Sequence, residues 1–337
     1  MEASIDIYPP FWHTVMLGGM QMLANFLFSI NTVAPLFAVL FLGYALKKTG
    51  FLNDNFVAVG NKVVFYVALP ASLFMSVYTA EINYMLDWSF AGFSVGASLV
   101  GFFGIWGISA IFIKNKPVLG AFAGGAFRGN YAFLGMPLLI NLAGEAGVAR
   151  AAITIAFVIP VYNVCTVLLL SACSDTGKRA GPKTILIAIV KNPLIIAIVT
   201  AFGMQLLNIR LPFVIGETVG YTANMATAMA LICLGAGMSF QGFDSKFKYA
   251  LVASFIKVVV LPIIFVAAGY LLGFTGYDLA AFLILGGIPS AIAGYAMVVQ
   301  MGGDTYIAGT IVVLSTLFSA FTLTVFIYIM RAVGMLR

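Results

Sequence analysis

The chain has 337 residues, of which 62% are hydrophobic and only 8% charged, and its mean hydropathy is +1.09. Soluble domains average about 25% charged residues, so this composition excludes a water-soluble enzyme. The net charge of +6 comes from Lys and Arg in short runs between apolar segments, a distribution typical of membrane proteins and not of nucleic-acid-binding proteins.

Apolar segments with short connections fill the chain, and about 20 apolar residues suffice to cross a bilayer. The sequence therefore predicts an all-α polytopic membrane protein of ten transmembrane helices. Predicted spans one to ten are residues 30–47, 57–79, 88–113, 118–142, 148–172, 184–207, 212–239, 246–272, 279–301 and 305–331.

Residues 1–29 form an N-terminal extension without an A-x-A cleavage pattern, which disfavours a cleaved signal peptide. An interfacial helix or an extended first helix is the favoured interpretation. An eleventh span remains an alternative, as does a translation start at Met20 or Met22 instead of Met1.

Basic residues orient the predicted bundle, because cytoplasmic loops carry an excess of Lys and Arg. Most basic residues follow the odd-numbered spans, for example Lys47 and Lys114, whereas acidic residues follow the even-numbered ones, for example Glu81 and Asp278. This pattern predicts that both termini lie on the outer side of the membrane, away from the cytoplasm.

The two halves of the chain resemble each other weakly. A shift of about 158 positions aligns Pro35 with Pro193, and a shift of about 159 aligns Glu145 with Asp304. Because five spans per half is an odd number, the second copy must be inverted, and inverted repeats are typical of secondary transporters. The predicted repeats are residues 30–175 and 184–335.

Spans four and nine are interrupted near their centres, where transporter sites are expected. A helix that breaks and restarts exposes free N–H groups and the positive end of its dipole, which attract anions. Asn130 is predicted to cap the second half of span four, and Pro289 to open the second half of span nine. The alternative is that Gly and Pro only kink these helices. The interruptions contain Gly124, Gly125, Arg128, Gly129 and Asn130 in span four, and Gly286, Gly287, Pro289 and Ser290 in span nine.

Two cations lie deep in the predicted membrane, Arg128 in span four and Lys257 in span eight, with no acidic residue at the same depth. This charge pattern favours an anionic substrate held by Arg128, while Lys257 would compensate charge or gate the site. Alternatively, Arg128 bonds carbonyls freed by the helix break and Lys257 extends its ammonium towards the membrane surface.

The sequence contains no group of residues with the types and spacing of a catalytic or metal-binding site. His13 is the single histidine and lies in the extension, and the three cysteines, Cys165, Cys173 and Cys233, have no ligand spacing and are predicted to be small buried residues. Asn163 and Tyr295 lie at the depth of the predicted site in the membrane and are candidate substrate-binding residues. Polar residues at this depth more commonly form hydrogen bonds with neighbouring helices.

The segment RGNYAFLGMPLL (128–139) resembles the broken fourth helix of the auxin efflux carrier family, and KNPLIIA (191–197), GAGM (235–238) and IPSAIAGYAMVVQ (288–300) support the resemblance. Asn130 and Pro289 match the family's crossover residues. This chain has Gly129 where plant members have Pro and Ser290 where they have Gln, so the resemblance implies a small carboxylate such as malonate rather than auxin.

The resemblance implies two inverted five-helix repeats, similar in architecture to bile-acid sodium symporters. Spans 1, 2, 6 and 7 would form a scaffold, and spans 3–5 and 8–10 would move as an elevator. A homodimer through the scaffold is a further expectation.

The sequence thus predicts a secondary transporter of a small organic anion in a bacterial-type inner membrane, partnered by its carboxylate substrate and the lipid bilayer and by no nucleic acid. It predicts no cofactor; proton or sodium coupling stays open, and uncoupled or weakly coupled export is favoured because no buried acid lies between the crossovers. The candidate substrate-binding residues are Arg128, Gly129, Asn130, Tyr131, Asn163, Pro289, Ser290, Ala291 and Tyr295.

Two alternatives remain at this stage. A sodium-coupled symporter of a bile-acid-carrier-like substrate would need oxygen ligands, for which Ser290, Asn163 and Gln300 are the candidates. A receptor or structural protein with an immobile transporter fold would bind the ligand without moving it.

Overall fold

A computed structural model describes residues 34–79, 87–173, 187, 190–237 and 246–336. These residues form α-helices with short π-helical turns and contain no β-strand, apart from one isolated bridge between Gly129 and Ser290. The all-helical prediction is therefore confirmed for this part of the chain. The predicted extension 1–29, with its alternative start sites, lies outside the described residues.

Twelve helices of the described residues are numbered here in chain order. They are α1 (34–48), α2 (Asp54–Tyr78), α3 (Trp88–Phe112), α4 (Lys116–Phe127), α5 (131–143), α6 (Ala149–Cys173), α7 (Pro193–Leu206), α8 (Phe213–Gly237), α9 (Phe247–Leu271), α10 (Tyr277–Gly287), α11 (Ile292–Gln300) and α12 (Thr305–Ala332). Six of these described helices, α2, α3, α6, α8, α9 and α12, are long and apolar enough to cross a membrane. Predicted span four corresponds to α4 and α5, and span nine to α10 and α11; the arrangement of all ten spans as an inverted repeat stays a prediction.

Gly144 separates α5 from α6. Its φ of 55° and ψ of −133° are not helical, although helical residues lie on both sides of it. A positive φ strains any residue with a Cβ, so glycine is suited to this bend.

Four helices contain a π-helical turn, and each turn ends two residues before a proline. Proline lacks an N–H and its ring collides with the carbonyl four residues back, which would break a regular helix. The wider turn avoids this collision, for example by bonding Leu69 N–H to the Val64 carbonyl five residues back. The turns are Val64–Ala68, Tyr131–Gly135, Thr154–Val158 and Ile256–Val260, and the prolines are Pro70, Pro137, Pro160 and Pro262.

The helices pack in two groups. In the first group α1 packs on α8, and α2 contacts both α7 and α8. The second group contains α3 to α6 and α9 to α12, in which α4 contacts α3, α6, α9 and α12. The two groups meet where α2 contacts α6 and α11, where α6 contacts α7, and where α8 contacts α11.

Glycines allow α1 and α8 to approach closely. A Cβ built on Gly235 would collide with the backbone oxygen of Leu40, and one on Gly43 would collide with the backbone oxygen of Ile232. Close backbone packing of this kind holds helices together in lipid, where the hydrophobic effect gives no preference between a neighbouring helix and an acyl chain.

Ion pairs join helices of the second group to one another, and they lie near the two opposite ends of α3. Arg150 bonds Asp87 at 3.1 Å and Asp278 at 2.5 Å, which joins the starts of α3, α6 and α10. At the other end Lys246 pairs with Asp304 at 2.8 Å, and the Asp304 N–H donates to the Pro117 carbonyl. These contacts fix the helices of this group relative to one another.

We expect Gly235→Ala to destabilise the protein by about 1–3 kcal/mol, because the added methyl group has no space beside the α1 backbone. Gly220→Ala on the same helix is the matched control: nothing lies within 4 Å of its Cβ position, so the change should be neutral or should stabilise the helix by about 0.5–1 kcal/mol. Thermal unfolding of the purified variants measures both; equal melting temperatures would contradict the close packing of α1 on α8.

Candidate functional site

The two interrupted segments cross and pair through their backbones. Asn130 N–H donates to the Pro289 carbonyl at 2.8 Å, and Ala291 N–H donates to the Arg128 carbonyl at 3.1 Å. Gly129 and Ser290 therefore face each other in a short antiparallel bridge. The prediction that spans four and nine are interrupted is confirmed, since α4 ends at Phe127 and α10 at Gly287; that the two interruptions are equivalent places of a repeat stays a prediction.

Local sequence explains why the helices stop here. Ile288 precedes a proline, which disfavours the helical conformation, and it is extended at φ −63° and ψ 150°. Gly129 permits the crossing, since a Cβ there would lie 2.7 Å from Ile288 Cγ1. The prediction that Pro289 opens the second half of span nine is wrong: α11 begins at Ile292, because residues 289–291 stay extended to pair with residues 128–130.

Two helices begin at the crossing, α5 after Asn130 and α11 after Ala291. The first N–H groups of a helix have no partner within it and carry the positive end of its dipole. Asn130 lies at the predicted cap position, but its side chain accepts no capping hydrogen bond. Both helix starts therefore offer N–H groups to a ligand.

A cavity of about 60 Å³ lies between the crossing and the first helix group, which is room for a small ligand or a few water molecules. The first group contributes hydroxyl groups from α2 and α8, and the second contributes the crossing and α6. The lining residues are Leu69, Ser72, Leu73, Ser76, Arg128, Gly129, Asn130, Tyr131, Ile159, Tyr162, Ala226, Thr227, Ala230, Ala291, Ile292 and Ala293.

Arg128 brings an uncompensated positive charge to this cavity. Its side chain is buried, and Nη1 contacts only neutral partners, Met297 Sδ at 2.9 Å and Thr166 Oγ1 at 3.4 Å. Across the described residues no carboxylate pairs with it. A guanidinium has five N–H donors, so this group can still bind a carboxylate.

Lys257 lies on the other side of the crossing and does not line the cavity. Its ammonium is fully buried and donates to the carbonyls of Gly286 at 2.6 Å and Leu285 at 3.4 Å. The alternative interpretation, in which Arg128 bonds the carbonyls freed by a helix break, is therefore wrong. It is Lys257 that bonds such carbonyls. Its ammonium does not extend to the surface.

The structure brings together five of the predicted ligands, Arg128, Gly129, Asn130, Tyr131 and Ala291. Pro289 and Ser290 form the opposite side of the bridge, where Ser290 N–H donates to Ser315 Oγ at 3.0 Å.

The remaining candidates, Asn163 and Tyr295, lie apart from this cavity. The Asn163 amide donates to the Ile159 carbonyl of its own helix at 2.8 Å. Tyr295 lines a second cavity of about 160 Å³ between α8, α11 and α12.

Sequence analysis missed the contribution of the first helix group. Ser72 and Ser76 are four residues apart on α2, and this spacing places both on one helix face. That signal was present in the sequence, but the position of α8, which adds Thr227, depends on packing between distant segments.

The described residues offer no metal site, since no three His, Cys, Asp or Glu side chains group together in them. Cys165, Cys173 and Cys233 are buried and form no disulfide, which confirms their prediction as small buried residues.

Comparison with known proteins identifies the family of this chain. The model of a family described as membrane transport protein matches residues 28–327. This chain belongs to that family. The resemblance to auxin efflux carriers is thereby confirmed, and the protein is a multi-pass membrane transporter and not an enzyme.

Curated relatives of this transporter match along almost their whole length. An "Uncharacterized transporter" of Methanothermobacter thermautotrophicus is 22% identical over 88% of this chain and 97% of the relative. The "Uncharacterized transporter YfdV" of Escherichia coli is 22% identical over 91% and 99%. A "Putative malonate transporter" of Rhizobium meliloti is 24% identical over 89% and 95%.

We expect Ser315→Ala to loosen the crossing, because it leaves the buried Ser290 N–H without its acceptor, at a cost of about 1–3 kcal/mol. Ser319→Ala is the control on the same helix, since its hydroxyl bonds only the Thr316 carbonyl of that helix. Hydrogen exchange of residues 288–292 should be faster in the first variant alone. Unchanged exchange in Ser315→Ala would show that this bond does not hold the crossing.

Proposed function

We propose that this protein is a secondary transporter that moves a small organic carboxylate across the cytoplasmic membrane by elevator-type alternating access. The observation that carries the proposal is the backbone pairing of the two interrupted helices, which directs two helix starts and Arg128 to one cavity. That cavity lies between two groups of helices, where movement of one group past the other would carry a bound ligand across the membrane.

The charges at the cavity favour an anion. Two helix dipoles contribute partial positive charge, Arg128 contributes a full one, and the hydroxyl groups of Ser72 and Thr227 can donate further hydrogen bonds, whereas the Ser76 hydroxyl donates to the Ser72 carbonyl at 2.8 Å. The small volume favours a ligand of few heavy atoms. The name of the Rhizobium meliloti relative supports a short dicarboxylate such as malonate.

Helix lengths support the inverted repeat. Helices α2 and α8 both have 25 residues and begin 159 positions apart, and α3 and α9 have the same length and the same separation. The interrupted pairs α4–α5 and α10–α11 follow in the same order in each half. We therefore extend the proposal to two repeats of five spans, residues 30–175 and 184–335.

The two packing groups support an elevator. Helices α1, α2, α7 and α8 correspond to the predicted scaffold spans 1, 2, 6 and 7, and the other helices correspond to the transport spans 3–5 and 8–10. The transport group is tied internally by the ion pairs of Arg150 and Lys246. In this proposal it moves as one unit and carries the crossing past the scaffold, through which two copies of the chain would associate.

The membrane potential can drive the transport without a coupling ion. An inside-negative potential moves an anion outward with about 2.3 kcal/mol per charge per 100 mV. We propose export in this direction from an inner membrane, with both termini outside. The sodium-coupled alternative has less support, because Asn163 bonds its own helix and, like Ser290 and Gln300, does not line the cavity at the crossing.

Arg128→Ala should abolish binding of carboxylates, because the charge-assisted contact and the main neutralising charge are lost. Thermal unfolding of the purified protein with a panel of mono- and dicarboxylates measures this, since a ligand of the folded state raises its melting temperature. Arg210→Ala, at an exposed arginine, is the control and should retain the response. A response that persists in Arg128→Ala would remove this residue from the site.

Asn130→Ala should also weaken carboxylate binding without preventing expression, because the Asn130 side chain lines the cavity and accepts no capping hydrogen bond from its own helix. The same thermal measurement tests it. Binding equal to that of the unmodified protein would exclude the side chain from the site.

In proteoliposomes loaded with the carboxylate that binds, we expect efflux to accelerate when the interior is made negative, and to do so equally in sodium and choline media. The control is the Arg128→Ala variant, which should show no efflux above protein-free vesicles. Efflux that requires sodium would favour the symporter, and binding without any transport would favour the immobile receptor.

A further inference from the structure

The C-terminus of α10 has two carbonyls that the backbone cannot satisfy. In a continuous helix Leu285 would accept from residue 289, but Pro289 has no N–H. Gly286 would accept from residue 290, but the Ser290 N–H donates to Ser315 Oγ. Both carbonyls are buried at the negative end of the α10 dipole, so they need a donor or a cation.

Lys257 supplies that cation. Its ammonium bonds both carbonyls, at 2.6 Å and 3.4 Å, and lies beside the crossing, since a Cβ on Gly129 would be 3.3 Å from Nζ. Across the described residues no carboxylate pairs with this ammonium. The carbonyl oxygens of α10 are the acceptors of its hydrogen bonds.

An interrupted span does not by itself require a lysine at the position of Lys257. In the proposed repeat, α3 is equivalent to α9 with a shift of 159 residues. The residue of α3 that corresponds to Lys257 is therefore Ser98. Its hydroxyl donates to the Ser94 carbonyl of its own helix at 2.8 Å. Of the two equivalent positions, only the one beside α10 carries a charge.

Carbonyls at the ends of broken helices are the groups with which secondary transporters bind Na⁺. We propose that the Lys257 ammonium permanently occupies such an alkali-cation site, so that this carrier needs no sodium to assemble its crossing. The inference rests on the proposed carrier function. A cation fixed to the protein travels with the transport group in both directions and therefore couples nothing to the substrate.

The test is whether an alkali cation can replace the ammonium. Lys257→Ser removes the charge and leaves space and a hydroxyl oxygen beside the two carbonyls, and Lys257→Gln keeps an amide donor and an oxygen. Thermal unfolding is measured for each in about 150 mM sodium chloride and in equal choline chloride. We expect the variants to be less stable than the unmodified protein in choline and to gain about 2–4 °C or more in sodium.

The unmodified protein and Lys248→Ser, at an exposed lysine of the same helix, should unfold at the same temperature in both salts. The proposal is overturned if the unmodified protein is stabilised by sodium. It is also overturned if the Lys257 variants fold but do not respond, or if they fold in neither salt, because an ion that fits the site should rescue them.

Carboxylate binding measured on the same samples separates this inference from the proposed function. A carboxylate response in the unmodified protein, without sodium rescue of the Lys257 variants, would contradict only the inference. Sodium rescue in the variants, without any carboxylate response in the unmodified protein, would uphold the cation site and contradict the carboxylate carrier.

Discussion

Two backbone hydrogen bonds at the crossing, Asn130 N–H to Pro289 and Ala291 N–H to Arg128, are the interaction on which the rest of the structure depends. Lipid cannot satisfy the polar backbone groups that a broken helix exposes, so an interrupted span is tolerated only where protein or water replaces the missing bonds. The crossing pairs four of these groups with each other. It leaves free the N–H groups at the two helix starts, which face the cavity, and the two carbonyls at the end of α10, which Lys257 bonds.

The two deep cations divide the electrostatics of the crossing between them. Arg128 is on the cavity side with the positive ends of α5 and α11, where its charge adds to theirs and attracts an anion. Lys257 is on the other side and bonds the negative end of α10, where its charge opposes the dipole. The same break thus creates a site for a mobile anion and a site for a cation, which we propose the protein fills itself.

The position of the cavity connects this chemistry to transport. One wall belongs to α2 and α8 and includes the small residues Ala226 and Ala230, and the other belongs to the crossing and α6. By contrast, Arg150 and Lys246 tie the helices of the second group by ion pairs. A group whose helices are tied to one another suits movement as a unit, which is the motion we propose.

The sequence alone determined that the chain is a helical membrane protein, because hydropathy and loop charge are local properties, and it located both interruptions, because Gly and Pro act on their own backbone. It also singled out Arg128 and Asn130. Only the tertiary structure decided that residues 289–291 stay extended, that Lys257 bonds α10, and that Ser72, Ser76 and Thr227 complete the cavity. These features depend on which separate segments meet, across 29 residues for Lys257 and Gly286 and about 160 residues at the crossing, and such pairing leaves no periodic signal in either segment.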